Sequence, residues 1–370
     1  MNDTLHDIVI VGSGPSGVMC AQTLVEAGKN VLMLDAGFTS NENTFNSGNF
    51  TAIRQTKSEQ YKIWLGENFE STKPATQGSI GQLTPGRMHI VKDSDKLLPI
   101  VSQNFFPVQS LAHEGLGAAW GLGCHSFSDA ELKRAGLPVG EMRMAYQVVA
   151  DRIGISHTNN DVTRFVAEHV RHLQASIEVD DNAHEILRIY NRKKAYVNQQ
   201  GFFVGIPALA LLTSGKDERE ATAYNNMDFY NNQGESAYRP SITLNSLSRY
   251  HNFKYFPGVL VKSFTEEDGI VTISSIEIKT NNHILLNTKK LVLAANAPGT
   301  ARIVLRSFSR YDHAIPILCN PYTMIACIQP RQIFRSPLAS GPARLSFQYF
   351  TRAGTMRKKQ QWLRYIVIAP

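Results

Sequence analysis

The sequence has little cysteine. Four residues, Cys20, Cys124, Cys319 and Cys327, are scattered through 370. No two share a Cys-x-x-Cys or other ligand spacing, which argues against a zinc site and against a disulfide framework. His169 and His172 are three apart within residues 168–172, but the His-Glu-x-x-His order is missing. They are expected on a solvated helix face, and no metal is expected. Also absent is any apolar run of the roughly 18 residues that a membrane span needs. Residues 1–7 are polar, without the basic start and apolar core of a secretory signal. The expectation is therefore a chain with no transmembrane segment, in a reducing cytoplasm. Charge is modest at 19% of residues, with 38 Lys and Arg against 31 Asp and Glu, a net of +7. The basic residues are spread out, and the densest runs, 192–194 and 357–359, lack the interleaved aromatics that stack on single-stranded bases. No nucleic-acid partner is expected. Repeats and low-complexity tracts are missing too.

What is present is apolar: 43% of residues, including 18 Phe, 13 Tyr and 3 Trp. Such a chain buries a large core, so disordered and fibrous classes are excluded, and its length suits two or three domains. The informative part comes first. Residues 8–11 (Ile-Val-Ile-Val) read as a buried parallel strand. Gly12-Ser13-Gly14-Pro15-Ser16-Gly17 follows, then small and apolar residues at helical spacing up to Gly28, placed to end the helix. Residues 30–34 form a second apolar run, with Asp35 at its end. Gly12 permits the tight turn, Gly14 lets backbone approach a pyrophosphate, and Gly17 lets helix and strand pack closely. The helix start offers free N–H groups and a positive dipole end to that anion. Asp35 can accept both hydroxyls of an adenosine ribose, which disfavours a 2′-phosphate. This βαβ unit does not by itself choose between NAD and FAD.

Two later segments add to it. Asp35-Ala36-Gly37 resembles the acid-x-Gly ending of the first βαβ in FAD-dependent oxidoreductases. Residues 110–121, carrying Gly115, Gly117, Ala118, Trp120 and Gly121, resemble the flavin-facing loop of the glucose-methanol-choline (GMC) oxidoreductases, here followed by Phe127-Ser128-Asp129. Residues 290–305, with Ala295, Asn296 and Thr300, are similar to that family's second flavin-binding strand, turn and helix. Residues 256–262 resemble the strand that contacts adenine, Val261 being the contact. The glycines of the loop, lacking Cβ, would let backbone approach a flat ring. Ala118 and Ala119 stand where small hydroxyl residues are common, and Asn296 where Gly is usual; Asn tolerates left-handed backbone.

The resemblance implies an α/β fold: an FAD/NAD(P)-binding Rossmann-like domain with a parallel sheet, and an α+β substrate domain with an antiparallel sheet left incomplete. The expected division is 1–140 and 245–310 for FAD, with 141–244 and 311–370 for the substrate cap. Helices are expected over 141–153 and 161–173, a polar surface excursion over 215–234, and β-rich stretches at 322–328, 343–350 and 362–368. The implied activity is hydride transfer from the CH–OH group of an alcohol or sugar-like substrate to FAD, with the electron acceptor unknown. Such chemistry needs a base, usually a neutral His. The family carries it near the C-terminus, whereas no histidine follows His313 here. His113 and His125 flank the loop without matching that position, so the catalytic residue stays unassigned. The expectation is a C-terminally shortened member. A catalytically incomplete flavin-binding protein and an NAD-dependent dehydrogenase are the alternatives.

Overall fold

In a computed structural model of the chain, the residues described are 5–39, 58–72, 83–101, 107–163, 170–179, 181–224, 232–317, 346–351 and 366–367. The expected strand at 322–328 and the basic run 357–359 lie outside them. The chain divides into two compact units. The first comprises Met1–Asn46, Thr56–Trp120 and Arg239–Pro316, and the second Ser47–Gln55, Gly121–Tyr238 and Ile317–Pro370.

In chain order the elements are β1 (Leu5–Val11), α1 (Pro15–Glu26), β2 (Val31–Leu34), α2 (Gln60–Leu65), α3 (Ser94–Leu97), α4 (Asp129–Arg134), α5 (Val139–Ile153), α6 (Asp181–Gln199) and β3 (Phe202–Gly205). There follow α7 (Pro240–Leu247), β4 (Phe253–Phe256), β5 (Val259–Glu267), β6 (Ile270–Glu277), β7 (His283–Leu293), α8 (Asn296–Ser307), β8 (Ser346–Thr351) and β9 (Ile366–Val367).

The first unit is built on a six-stranded mixed sheet of order β4-β2-β1-β7-β6-β5. Strands β4, β2, β1 and β7 run parallel, while β6 and β5 extend the β7 edge as an antiparallel meander. Both faces of β1 are covered, which explains its unbroken apolar run. Ile8 and Ile10 pack with Val18, Ala21 and Val25 of α1 and Leu244 and Leu247 of α7. Val9 and Val11 pack on the other face with Leu32, Leu34, Ile273, Leu286 and Ile303. Fully buried side chains such as Ile10, Met33 and Ile273 each contribute about 1.5–3 kcal/mol by removal from water.

Three local expectations change. Residues 256–262 are two strands: Pro257 has no N–H to donate and Gly258 takes φ +82°, so β4 ends beside β2 and β5 turns away to pair with β6. Within the strand, turn and helix expected over 290–305, residues 298–300 are already the first turn of α8, which starts at Asn296; Pro298 fits there because the first helical N–H groups lack partners anyway. Residues 170–173 are not helical, with His172 at φ +57°. Backbone bonds between Ile155, His157 and Gln174 claim that stretch instead.

In the second unit α6 packs on β3, which pairs antiparallel with β8, and β8 with β9. Its core joins Ala183 and Tyr190 of α6 to Val204, Leu209 and Leu211. A capping box between Ser128 and Glu131 starts α4. The polar stretch after Gly215 is not all surface: Arg219 is buried, donating to the carbonyls of Ile153 (2.6 Å), Glu235 (2.9 Å) and Ser236 (3.4 Å).

Candidate dinucleotide site

The C-terminal ends of β1, β2 and β7 open into a cleft of about 410 Å³ within the first unit, where doubly wound sheets bind ligands. Gly12, Ser13, Gly14, Pro15, Ser16, Asp35, Ala36, Gly115, Val261, Ala295 and Asn296 all line it. The remaining expected residues lie elsewhere. Gly17 stands behind the wall: a Cβ there would lie 1.9 Å from the carbonyl oxygen of Gly12, so only glycine lets α1 sit this close to the turn. Gly12 is fixed the same way, at φ +105° with a would-be Cβ 2.5 Å from the carbonyl oxygen of Ala294.

The start of α1 is uncapped by any side chain, and Gly14 is its N-cap. Its first amides therefore have no intrahelical acceptor and carry the positive end of a 12-residue helix. That is a cradle for a pyrophosphate.

Asp35 is more heavily engaged than its position suggests. Ser13 Oγ donates to Asp35 Oδ2, and Tyr255 Oη donates to the same oxygen at 3.0 Å. Ser13 Oγ in turn accepts the amide of Glu114 at 3.0 Å. Burial pushes the Asp35 carboxyl up to about 6, against the opposing pull of the Ser13 and Tyr255 hydroxyls and of His113. Burial and the neighbouring Asp35 charge push the Tyr255 phenol upward too, so it stays a donor. Both side-chain donors go to Oδ2 and the Ala36 amide also donates to the carboxylate, whose two oxygens together offer about four acceptor sites and so keep capacity for a ligand hydroxyl.

The loop after residue 110 forms a 3-10 turn over Gly115–Ala119. Glu114 at φ +77° and Gly115 at φ +57° redirect the chain so that Gly115 lies against Gly14. A Cβ on Gly117 would meet Pro240 at 2.5 Å and Pro15 at 3.2 Å, so protein packing demands that glycine. Ala118 is buried with Ile90 and Val91, and its carbonyl accepts from the buried Arg87 guanidinium. Glu114 accepts the amide of Ser241 at 3.3 Å and sits near Arg239, whose guanidinium is lowered by burial. Trp120 ends the loop half-buried, Gly121 is exposed in the second unit, and Thr300 lies half-buried in α8.

Sequence reasoning misses Tyr255, and with it Leu97, Leu98, Pro99, Lys262, Arg302 and Arg306 in the cleft wall. Tyr255 meets Asp35 across 220 positions, and no local pattern signals such a pairing. Of the two histidines flanking the loop, His113 lies edge-on to Tyr255, 5.6 Å between ring centres, beside the acid. The cleft wall carries no histidine among the described residues. Neither do they include a cluster of metal-ligating side chains, nor a helix long and apolar enough to cross a membrane.

Residues 7–181 match a protein-family model described as an FAD binding domain. Among solved structures, the chain is similar to pyridoxine 4-oxidase from Mesorbium loti, at 14% identity and a TM-score of 0.42, covering 82% of this chain and 52% of that one. Similarity extends to a formate oxidase from Aspergillus oryzae RIB40, at 12% identity and a TM-score of 0.42, covering 83% and 48%. A p-nitrophenol 4-monooxygenase from Pseudomonas putida matches at 14% identity and a TM-score of 0.29, covering 82% and 43%. The chain thus spans about half the length of the first two structures it matches. The mixed α/β sheet, the uncapped helix over its glycine turn and the matched family model agree on one cofactor, FAD.

Proposed function

We propose that the chain is the FAD-dependent part of an oxidoreductase of the GMC type, acting on the CH–OH group of an alcohol or sugar-like substrate. The observation that carries this reading is the joining of three sequence-distant segments in one cleft wall: the glycine turn, the loop at Gly115 and the strand-helix junction at Ala295 and Asn296. That set and its order resemble the GMC arrangement. When bound, the flavin ring supplies the acceptor for two electrons and a proton as hydride.

The chain's own groups divide the work of holding it. The amides at the start of α1, with Ser16 beside them, take the pyrophosphate. Asp35 accepts the ribose hydroxyls through its remaining acceptor sites, while Ser13 and Tyr255 hold Oδ2 in place. Val261 and Ala36 flank the adenosine, and Ala295 and Asn296 form a further part of the wall. The loop through Gly115, Gly117, Ala118 and Trp120 lies towards the ring, with Arg87 fixing its backbone from behind. Residues 141–244 and 311–370 serve as the substrate cap.

A second reading is favoured by the same cleft: its described wall offers no imidazole to accept the alcohol proton. On that reading the chain binds FAD without turning over. The experiment is to purify the protein, record its visible spectrum and titrate it anaerobically with alcohols and reducing sugars. A yellow protein bleached by one of them supports the redox reading. A yellow protein bleached by none, though dithionite reduces it, supports the second. A colourless protein that binds NAD in preference to FAD overturns both.

A further inference from the structure

Three cations gather in the cleft beyond Val261: Lys262, Arg302 and Arg306 all line its wall. Arg302 and Arg306 stand four apart on α8, a like-charge spacing that works against a helix. Lys262 faces both of them. Its ammonium is lowered by burial and then by Arg306 and Arg302, and the Arg302 guanidinium is lowered by burial and then by Arg306. The bonds Arg302 makes are to neutral acceptors, Gln109 Oε1 at 3.3 Å and the carbonyls of Leu98 (3.3 Å) and Pro99 (2.9 Å). Among the described residues no carboxylate is among the charges acting on Lys262 or Arg302.

Lys262 reaches this wall through a backbone irregularity. In a regular strand Val261 and Lys262 would point to opposite faces. Here the register of β5 against β6 shifts between Val261 and Ser263. Lys262 is the extra residue of a bulge, and both residues line the cleft. Repelling cations collected around a concave wall, one of them aimed there by a bulge, form a site whose missing partner is an anion.

We propose that Lys262, Arg302 and Arg306 form a second oxyanion site, for a phosphate-class anion, at the Val261 end of the cleft. It is distinct from the start of α1, where the dinucleotide's own pyrophosphate lies on the reading above. The anion is either free inorganic phosphate or an extra phosphoryl group on a bound nucleotide. The inference rests on the cleft wall and not on the redox reading.

The test uses the full chain, cofactor-free and FAD-loaded, melted in inorganic phosphate and in chloride of equal ionic strength. At phosphate a hundredfold above its dissociation constant the expected rise in Tm is roughly 5–10 °C, in both forms. Arg306→Gln, which relieves repulsion within α8 and so should fold, loses most of that rise. Lys262→Met provides the same test on the other wall. No rise, or an equal rise in the variants, overturns the proposal. So does phosphate that weakens FAD binding competitively in a flavin-fluorescence titration, because it then occupies the pyrophosphate cradle. Comparing ADP with an adenosine diphosphate bearing an added ribose phosphate identifies the source. Tighter binding of the latter, lost in Arg306→Gln, assigns the site to a nucleotide phosphoryl group, and equal binding assigns it to free phosphate. A colourless protein that still shows the phosphate effect would sink the flavin reading while leaving this one standing.

Discussion

Asp35→Asn should make the cofactor-free protein more stable while weakening its grip on FAD. The carboxyl is raised from 3.8 to about 6, chiefly by burial. That difference corresponds to at most about 3 kcal/mol, an upper limit because Asp35 keeps some exposure to the cleft. The sign follows from proton counting. Below pH 3.8 the group is protonated in both folded and unfolded chains and contributes nothing. Between there and about pH 6 the unfolded chain ionises first, so stability falls as pH rises. Above that window the full penalty applies. The substituted asparagine keeps an oxygen for Ser13 and Tyr255 and carries no charge to desolvate, so it escapes the penalty. At roughly 2–4 °C per kcal/mol for a unit of this size, the variant should melt higher near pH 7.5, by at most about 6–12 °C. The gap should close towards pH 4. Melts of both proteins across pH 4–8 measure it. A gap that does not change with pH, or a variant less stable at pH 7.5, would refute the account of Asp35 as a buried, costly acid. FAD affinity should move the other way, about 10- to 150-fold weaker, since bonds to a charged acceptor are worth about 1.5–3 kcal/mol. Flavin fluorescence quenching reads that loss.

Gly17→Ala would place a methyl 1.9 Å from the Gly12 carbonyl oxygen, forcing α1 off β1. The expected cost is about 1–3 kcal/mol or more, with sharply reduced flavin content in the purified protein; normal flavin content would contradict the packing argument. Arg219→Met removes the donor shared by the carbonyls of Ile153, Glu235 and Ser236, of which Ile153 and Ser236 are buried and Ser236 keeps the amide of Leu212. At about 1–3 kcal/mol for a buried group left unsatisfied, hydrogen exchange should accelerate around residues 153 and 235–237. Exchange in the α1–β2 region should not change.

The βαβ unit is legible in the sequence because everything that makes it is local. Glycine spacing, the apolar run of β1 and an acid after β2 all fall within 35 residues, and the structure places them accordingly. The β5–β6 hairpin is equally local, yet the strand pattern alone does not reveal it. Asp268 and Gly269, at φ +51° and +76°, form the two-residue turn that such hairpins favour, and that dipeptide is the visible signal between the two strands. Helix α6 also leaves a signal, with Ala183, Ile186, Leu187 and Tyr190 recurring at helical spacing on the core side. Other features have no local trace. The hydroxyl of Tyr255 on Asp35 and the three carbonyls on Arg219 depend on which distant backbone arrives nearby. The packing reason for Gly117 is likewise supplied by Pro240, far along the chain.

The central place of β1 between β2 and β7 has a consequence for the newborn chain. One neighbour follows within a few tens of residues, but the other pairs with β1 across 282 positions. At about 5–20 residues per second, a ribosome takes roughly 15–55 s to cover that distance. Throughout that delay one side of a central, largely apolar strand has no pairing partner, and the backbone against which Gly12 closes has not been made. The βαβ unit at the N-terminus must therefore wait, shielded by collapse or by a chaperone, for a segment 282 residues downstream. A pause or premature stop in that stretch would release a chain with an open strand edge at its heart.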